Sequence, residues 1–205
     1  NNTGQSCNAP SRMLVPRDKL AAAEAIAAKV TETMVTIGDT ADDKTTMGPV
    51  VSKVQWDKIQ GLINKGIEEG AKVVCGGAGL PDGIDRGYYV RPTVFSEVNN
   101  NMTVAREEIF GPVLTMIPYD SEEEAIKIAN DTPYGLAGYV QGENIDHARQ
   151  VASKIRAGNI HLNGASGGMD VPFGGFKQSG NGREWGSHGF TDYLEIKAIE
   201  GYSAA

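Results

Sequence analysis

Cys7 follows Gly4-Gln5-Ser6 near the start of the chain. A thiolate is the strongest side-chain nucleophile near neutral pH, and it works only where a base, a donor for the developing oxyanion and a bound substrate converge on it. Small and polar neighbours leave Cys7 more accessible than a core cysteine; on residue type and setting alone, nucleophile and small hydrophobe are evenly balanced. Cys75 continues Val73-Val74 and precedes two glycines, as a core strand end does. Glu107-Glu108 has, by composition, the look of a solvated acidic turn ahead of a strand. His147, His161 and His188 are scattered, with no cysteine or carboxylate at ligand spacing, which predicts no metal centre. Spacing assigns no Cys–His dyad either. Gly180-Asn181-Gly182 fails as a dinucleotide loop, because Trp185 falls where the third glycine belongs and a long loop precedes it instead of a strand. The glycine pairs Gly174-Gly175 and Gly180-x-Gly182 are expected to be turns that bring Phe173 and Arg183 into place.

These residues need a scaffold, and 205 residues suffice for one domain with a substantial core. Hydrophobic residues at 40% and charged residues at 22% exclude a disordered chain, while 26 glycines announce many tight turns. A net charge of -7 without a basic cluster argues against nucleic acid as partner. No apolar run approaches the roughly 20 residues of a membrane span, and no signal segment opens the chain. Two isolated cysteines point to a reducing, cytoplasmic setting. The chain lacks an initiator methionine and meets a motif at once, which points to a piece of a longer protein.

Periodicity supplies the elements. Arg12 to Val15 reads as a short strand stopped by Pro16; Leu20, Ala23, Ala27, Val30 and Met34 stripe a helix. Ser52-x-x-Gln55 has capping-box spacing before the stripe Trp56, Ile59, Ile63, Ile67, and Gly70 ends that helix. Val73 to Cys75 and Val113 to Tyr119 read as strands, and Tyr88 to Phe95 contains an extended segment punctuated by Pro92. Ser121-x-x-Glu124 opens a helix to about Asn130, Leu136 to Gln141 is a strand, Ala148 to Ile155 stripes a helix, and Asn159 to Leu162 is a strand after Gly158. This alternation predicts an α/β fold with right-handed crossovers and a parallel sheet covered on both faces. A glycine-dense loop then runs from Asn163 to Gly189. Tyr193 to Ile199 alternates as a strand that could join the sheet edge of a second subunit.

Six motifs in order extend over nearly the whole chain: Asn2-Thr3-Gly4-Gln5-Ser6-Cys7; Gly48-Pro49; Gly87-Tyr88-Tyr89-Val90-Arg91-Pro92-Thr93; Glu107-Glu108-Ile109-Phe110-Gly111-Pro112-Val113; Asn130 with Tyr134-Gly135-Leu136; and Pro172-Phe173-Gly174-Gly175-Phe176-Lys177 with Ser179-Gly180-Asn181-Gly182-Arg183-Glu184. Their order and spacing resemble those of the aldehyde dehydrogenase superfamily, specifically its catalytic domain. The resemblance implies a three-layer domain over residues 1–188 and an oligomerisation strand and tail over 189–205, giving a homo-oligomer. It implies oxidation of a small-molecule aldehyde to a carboxylate with NAD or NADP. Cys7 would be the nucleophile, forming a thiohemiacetal and then a thioester, with its own N–H in the oxyanion site.

In the same resemblance Glu108 matches the carboxylate on the ribose hydroxyls beside nicotinamide, since a carboxylate accepts two hydrogen bonds from a diol. Phe110 matches the aromatic near that ring. Phe173 matches an aromatic at the substrate entrance, with core packing beside Pro172 as its plainer reading, and the loop Gly164 to Asp170 faces that entrance. The family's dinucleotide-binding region, water-activating glutamate and oxyanion amide precede the nucleophile segment, so residues 1–205 alone are expected to bind cofactor poorly and turn over little. Two other readings compete: a non-enzymatic association module on the same fold, and a cysteine hydrolase or acyltransferase that needs a histidine base such as His161 or His188. Retention of both Cys7 and Glu108 weighs against the first.

Overall fold

A computed structural model describes residues 2–201, which divide into two units, one up to Pro133 and one from Tyr134 onward. The first unit holds a four-stranded sheet of β1 (Arg12–Pro16), β2 (Lys72–Cys75), β3 (Thr93–Ser96) and β4 (Val113–Tyr119), in the order β1-β4-β3-β2. β1 and β3 both run parallel to β4, with Leu14 opposite Ile117 and Phe95 opposite Thr115; β2 is an antiparallel edge. Its helices are α1 (Leu20–Met34), α2 (Lys53–Glu68), α3 (Thr103–Arg106) and α4 (Glu122–Asn130).

The period of two along each strand sends neighbouring residues into different cores. Val94 and Met116 pack with Val15 and with Leu20, Ala23 and Ala27 of α1. Phe95, Val113 and Ile117 pack with Ile59 and Ile63 of α2, Val104 and Ala105 of α3, and Ile128 of α4. The unit is therefore three-layered, with apolar side chains on both sheet faces. Phe95, Ile59 and Ile63 are fully buried, each contributing about 2 kcal/mol of transfer free energy.

α2 and α4 begin as their capping residues predict: Ser52 Oγ accepts from the Gln55 N–H, and Ser121 Oγ from the Glu124 N–H. α3 is four residues long, too short for periodicity to reveal, and it leads directly into Glu107-Glu108. Glu69 fastens its start, accepting from the Thr103 N–H and hydroxyl at 2.6 Å each. Those bonds hold the Glu69 carboxyl below its ordinary pKa.

The second unit contains β5 (Ala137–Val140), α5 (Ile145–Lys154), β6 (Asn159–Leu162) and α6 (Gly186–Gly189). β5 and β6 are parallel, with Gly138 opposite Ile160 and Tyr139 opposite His161, and α5 connects and packs on them. Asn144 caps α5, its Oδ1 accepting from the N–H groups of Asp146 and His147 at 3.0 Å.

Three elements differ from expectation. β5 and β6 form a sheet of their own instead of continuing that of β4, because periodicity identifies a strand and says nothing of which edge it joins. The extended run Tyr88 to Phe95 pairs only from Thr93, since Pro92 has no N–H to give a ladder. The strand expected over Tyr193 to Ile199 does not form in the single chain. Thr191–Tyr193 is one 3₁₀ turn, and Tyr193, Leu194, Ile196 and Ile199 are 87%, 62%, 90% and 84% exposed. A strand without a neighbouring edge has nothing to hold its backbone groups.

Candidate active site

The nucleophile segment is bent and clamped. Asn2, Thr3 and Gly4 have φ of 48°, 54° and 72°, a left-handed run that costs a non-glycine residue about 1 kcal/mol or more. Asn2 and Gln5 repay part of this through reciprocal bonds: Gln5 N–H to Asn2 O at 2.9 Å and Asn2 Nδ2 to Gln5 O at 2.8 Å. Thr3 is buried and donates its hydroxyl to Gly48 O at 3.0 Å, while Gln5 Oε1 accepts from the Val51 N–H at 2.9 Å. The bend leaves Cys7 exposed at its far end.

The same segment touches the Glu108–Phe110 turn. A Cβ on Gly4 would lie 2.1 Å from Gly111 O, so only glycine permits this approach. Gly111 in turn abuts Ile59 of α2. Phe110 is half-buried with φ 56°, and two side chains from α2 hold its turn. Gln55 Nε2 donates to Ile109 O at 3.0 Å and Phe110 O at 2.8 Å; Lys58 Nζ donates to Glu108 O at 2.6 Å. Glu108 is exposed, and its carboxylate makes no hydrogen bond or ion pair among the described residues.

Four of the sequence motifs thus interlock in the first unit. Gly48-Pro49 receives Thr3, and the Tyr88–Tyr89 run receives the Val50 N–H (3.0 Å) and the Trp56 indole N–H (2.7 Å). Gly4 of the Cys7 segment meets Gly111, the residue after Phe110. Capping-box spacing assigns the Gln55 side chain to its own helix start, whereas the structure turns it onto the loop after α3, more than fifty residues on, and Lys58 joins it there. A helix residue facing a loop that contains a strained aromatic leaves no trace in local sequence.

Phe173 belongs to the second unit and is half-buried against Trp185, with ring centroids 5.0 Å apart. Reciprocal backbone bonds join Phe173 and Glu184 at 2.7 and 2.8 Å. Gly174, Gly180 and Gly182 have φ of 157°, 129° and 66°. A Cβ on Gly158 would lie 1.6 Å from Gly174 O, and Arg183 Nη1 donates to Gly175 O at 3.0 Å. All three histidines lie in the second unit: His147 on α5, His161 on β6 and His188 on α6. Among the described residues no group of three His, Cys, Asp or Glu could hold a metal, and no helix is long and apolar enough to cross a membrane. Two shallow depressions of about 420 and 270 Å³ occur in the first unit, and neither is lined by Cys7, Glu108 or Phe110.

A family model described as the aldehyde dehydrogenase family matches residues 1–199. The 3-succinoylsemialdehyde-pyridine dehydrogenase of a Pseudomonas species is 54% identical over 204 residues, covering 100% of this chain and 43% of that protein. A putative aldehyde dehydrogenase of Staphylococcus aureus is 51% identical over 202 residues, covering 98% and 42%. Among solved structures, a cysteine-to-alanine mutant of aldehyde dehydrogenase C from Pseudomonas syringae, complexed with NAD+ and octanal, superposes with a TM-score of 0.95 at 55% identity, covering 99% of this chain and 42% of that one. Mycobacterium tuberculosis aldehyde dehydrogenase complexed with NAD+ gives 0.92 at 41% identity, covering 98% and 42%. The chain spans less than half the length of these relatives.

Proposed function

Because the chain belongs to the aldehyde dehydrogenase family, we propose that it supplies the nucleophile and part of the cofactor grip for NAD(P)+-dependent oxidation of an aldehyde to a carboxylate. The approach of Gly4 to Gly111 carries the reading, since it packs the Cys7 segment against the Glu108–Phe110 turn. The Cys7 thiolate adds to the aldehyde carbon and forms a thiohemiacetal, the carbonyl oxygen taking the charge. The turn's own bonds run from the N–H groups of Gln5 and Ala9, which leaves that of Cys7 suited to this oxygen.

NAD(P)+, when bound, supplies the hydride acceptor that converts the thiohemiacetal to a thioester. Water then hydrolyses the thioester, releasing the carboxylate and the Cys7 thiol. Glu108 fits the cofactor's ribose because its exposed carboxylate has both oxygens available for a diol. Phe110, held by Gln55, would flank the nicotinamide ring, and Phe173 with loop 164–170 would line the aldehyde entrance. Free Cys7 and Cys75 suit a cytoplasmic setting.

Residues 1–205 alone bind NAD(P)+ weakly and turn over little or not at all, since they correspond to 43% of the Pseudomonas relative. The test is a chimera in which they replace the matching part of that relative. It should reduce NAD+ or NADP+ in the presence of aldehyde at about 1 s⁻¹ or faster, while the chain alone does not. A folded chimera without aldehyde-dependent reduction would refute the reading.

The exposed apolar residues Leu194, Ile196 and Ile199 support association through the tail, which would pair with a second copy's sheet edge. Sedimentation velocity should show a larger species for residues 1–205 than for a truncation ending at Asp192. The same number of chains per particle in both would remove that role.

A further inference from the structure

Segments 4–12 and 106–111 of the first unit are joined at both ends. At one end Gly4 abuts Gly111. At the other, Arg12, the first residue of β1, and Arg106, the last of α3, meet where α4 finishes. Arg106 Nη1 donates to Asp131 O at 2.8 Å and pairs with Asp131 Oδ1 at 3.1 Å. Asn100 Nδ2 donates to the same residue, to O at 3.1 Å and to Oδ2 at 2.8 Å. Arg12 Nη2 completes the network, donating to Asn100 Oδ1 at 2.6 Å and to Ile128 O at 2.7 Å. Cys7 lies in sequence between the two ends of one segment, and Glu108 between those of the other.

A lone Arg–Asp pair at a surface is worth little, but this one also binds a main-chain carbonyl and shares Asp131 with Asn100, so no single bond can slip without disturbing the others. The hydrogen bond from Arg106, foremost, holds the Asp131 carboxyl below its ordinary pKa. Arg12 Nε is buried with no acceptor among the described residues, so that guanidinium is oriented by its two Nη2 bonds at the expense of its own satisfaction. Only Glu107 separates Arg106 from Glu108. The exposed Glu108 carboxylate has no hydrogen bond or ion pair of its own among the described residues, and its place follows from the backbone that bears it.

We propose that the Arg12–Asn100–Asp131–Arg106 network is a second joint which, with the Gly4–Gly111 contact, fixes where the Glu108 carboxylate meets the cofactor's ribose. This rests on the reading of Glu108 as the ribose carboxylate. A turn held at Gly111 alone could swing about that point and carry Glu108 with it; a joint at Arg106 removes the freedom. Arg106 is a positioning residue, acting through the backbone of Glu108.

Arg106→Ala removes the joint, and Arg106→Lys keeps one cationic donor for Asp131. In the chain itself, hydrogen exchange of amides 103–108 should quicken about tenfold or more in Arg106→Ala, the change one charged hydrogen bond is worth, with α5 and β5 unaltered. Arg106→Lys should reverse part of it. In the chimera, KM for the cofactor should rise by about tenfold in Arg106→Ala and partly recover in Arg106→Lys, while KM for octanal holds. A double-mutant cycle with Glu108→Gln separates positioning from general loosening: once the carboxylate is gone, Arg106→Ala should raise cofactor KM by less than about twofold. A full rise in the Glu108→Gln background overturns the proposal, as does unchanged exchange, or quickened exchange with an unchanged cofactor KM. If Glu108→Gln alone leaves cofactor KM as it was, the ribose reading falls and takes the proposal with it, whereas the exchange result reports on the joint independently.

Discussion

Replacing Cys7 by serine in the chimera should lower aldehyde-dependent NAD(P)+ reduction by about 10⁴-fold or more, the scale seen when a covalent nucleophile is removed. The hydroxyl is nearly isosteric, and Cys7 is exposed at the end of its turn, so folding has no reason to change. The chemistry changes twice. A hydroxyl is far less acidic and less nucleophilic than a thiol, and an oxygen ester resists hydrolysis more than a thioester. KM for cofactor should move little, because Glu108 and Phe110 are untouched. The corresponding Cys75→Ser substitution sits at the end of β2 beside Val94 and Met116, and its cost is in stability, not turnover. Comparing the two variants by initial rate and by thermal melting separates a nucleophile from a core cysteine.

Gly4→Ala is expected to be the most damaging single-methyl change in the first unit. The new Cβ would stand 2.1 Å from Gly111 O and 2.4 Å from Gly111 C, both backbone atoms that cannot rotate away. The left-handed φ of 72° adds about 1–2 kcal/mol and overpacking about 1–3 kcal/mol, for a total of about 2–5 kcal/mol. Against a domain stability of about 5–15 kcal/mol this is a large share, readable as a fall in Tm of about 5–15 °C. Relief comes from parting the Cys7 segment and the Glu108–Phe110 turn, and a displacement of about 1 Å costs on the order of 10²-fold in rate. The chimera should therefore lose activity even at temperatures where it is folded. Gly61→Ala is the control: its Cβ meets nothing within 4 Å in the middle of α2, so alanine should stabilise by up to about 1 kcal/mol. Equal melting temperatures for the two variants would mean that the Gly4–Gly111 approach does not exist in solution.

Local chemistry was legible wherever a residue serves its own neighbours. Ser52 and Ser121 cap the helices that their spacing announces, β4 has the bounds Val113–Tyr119 read from its apolar run, and α1 ends at Met34 as its stripe does. Cys7, Glu108 and Phe110 lie in one unit, and in the sequence only motif order links them, because periodicity carries no such information. What stayed hidden is non-local. Gln55 looks like half of a capping box until the chain brings Ile109 and Phe110 to it. β5 and β6 are plain as strands, yet nothing in four residues says that they pair with each other and not with β4. The tail alternates like a strand and has no edge within its own chain. Likewise Arg106 gives no sign in sequence that it pairs with Asp131 at the end of α4.

In the proposed reaction Cys7 carries the covalent intermediate. The direct measurement is rapid acid quench of the chimera during turnover with octanal and cofactor, followed by peptide mass mapping, because a thioester survives acid. An added octanoyl mass is expected on the peptide bearing Cys7, absent when cofactor is withheld and absent in Cys7→Ser. Full turnover with no acyl mass on that peptide, or with the mass on Cys75, would contradict it.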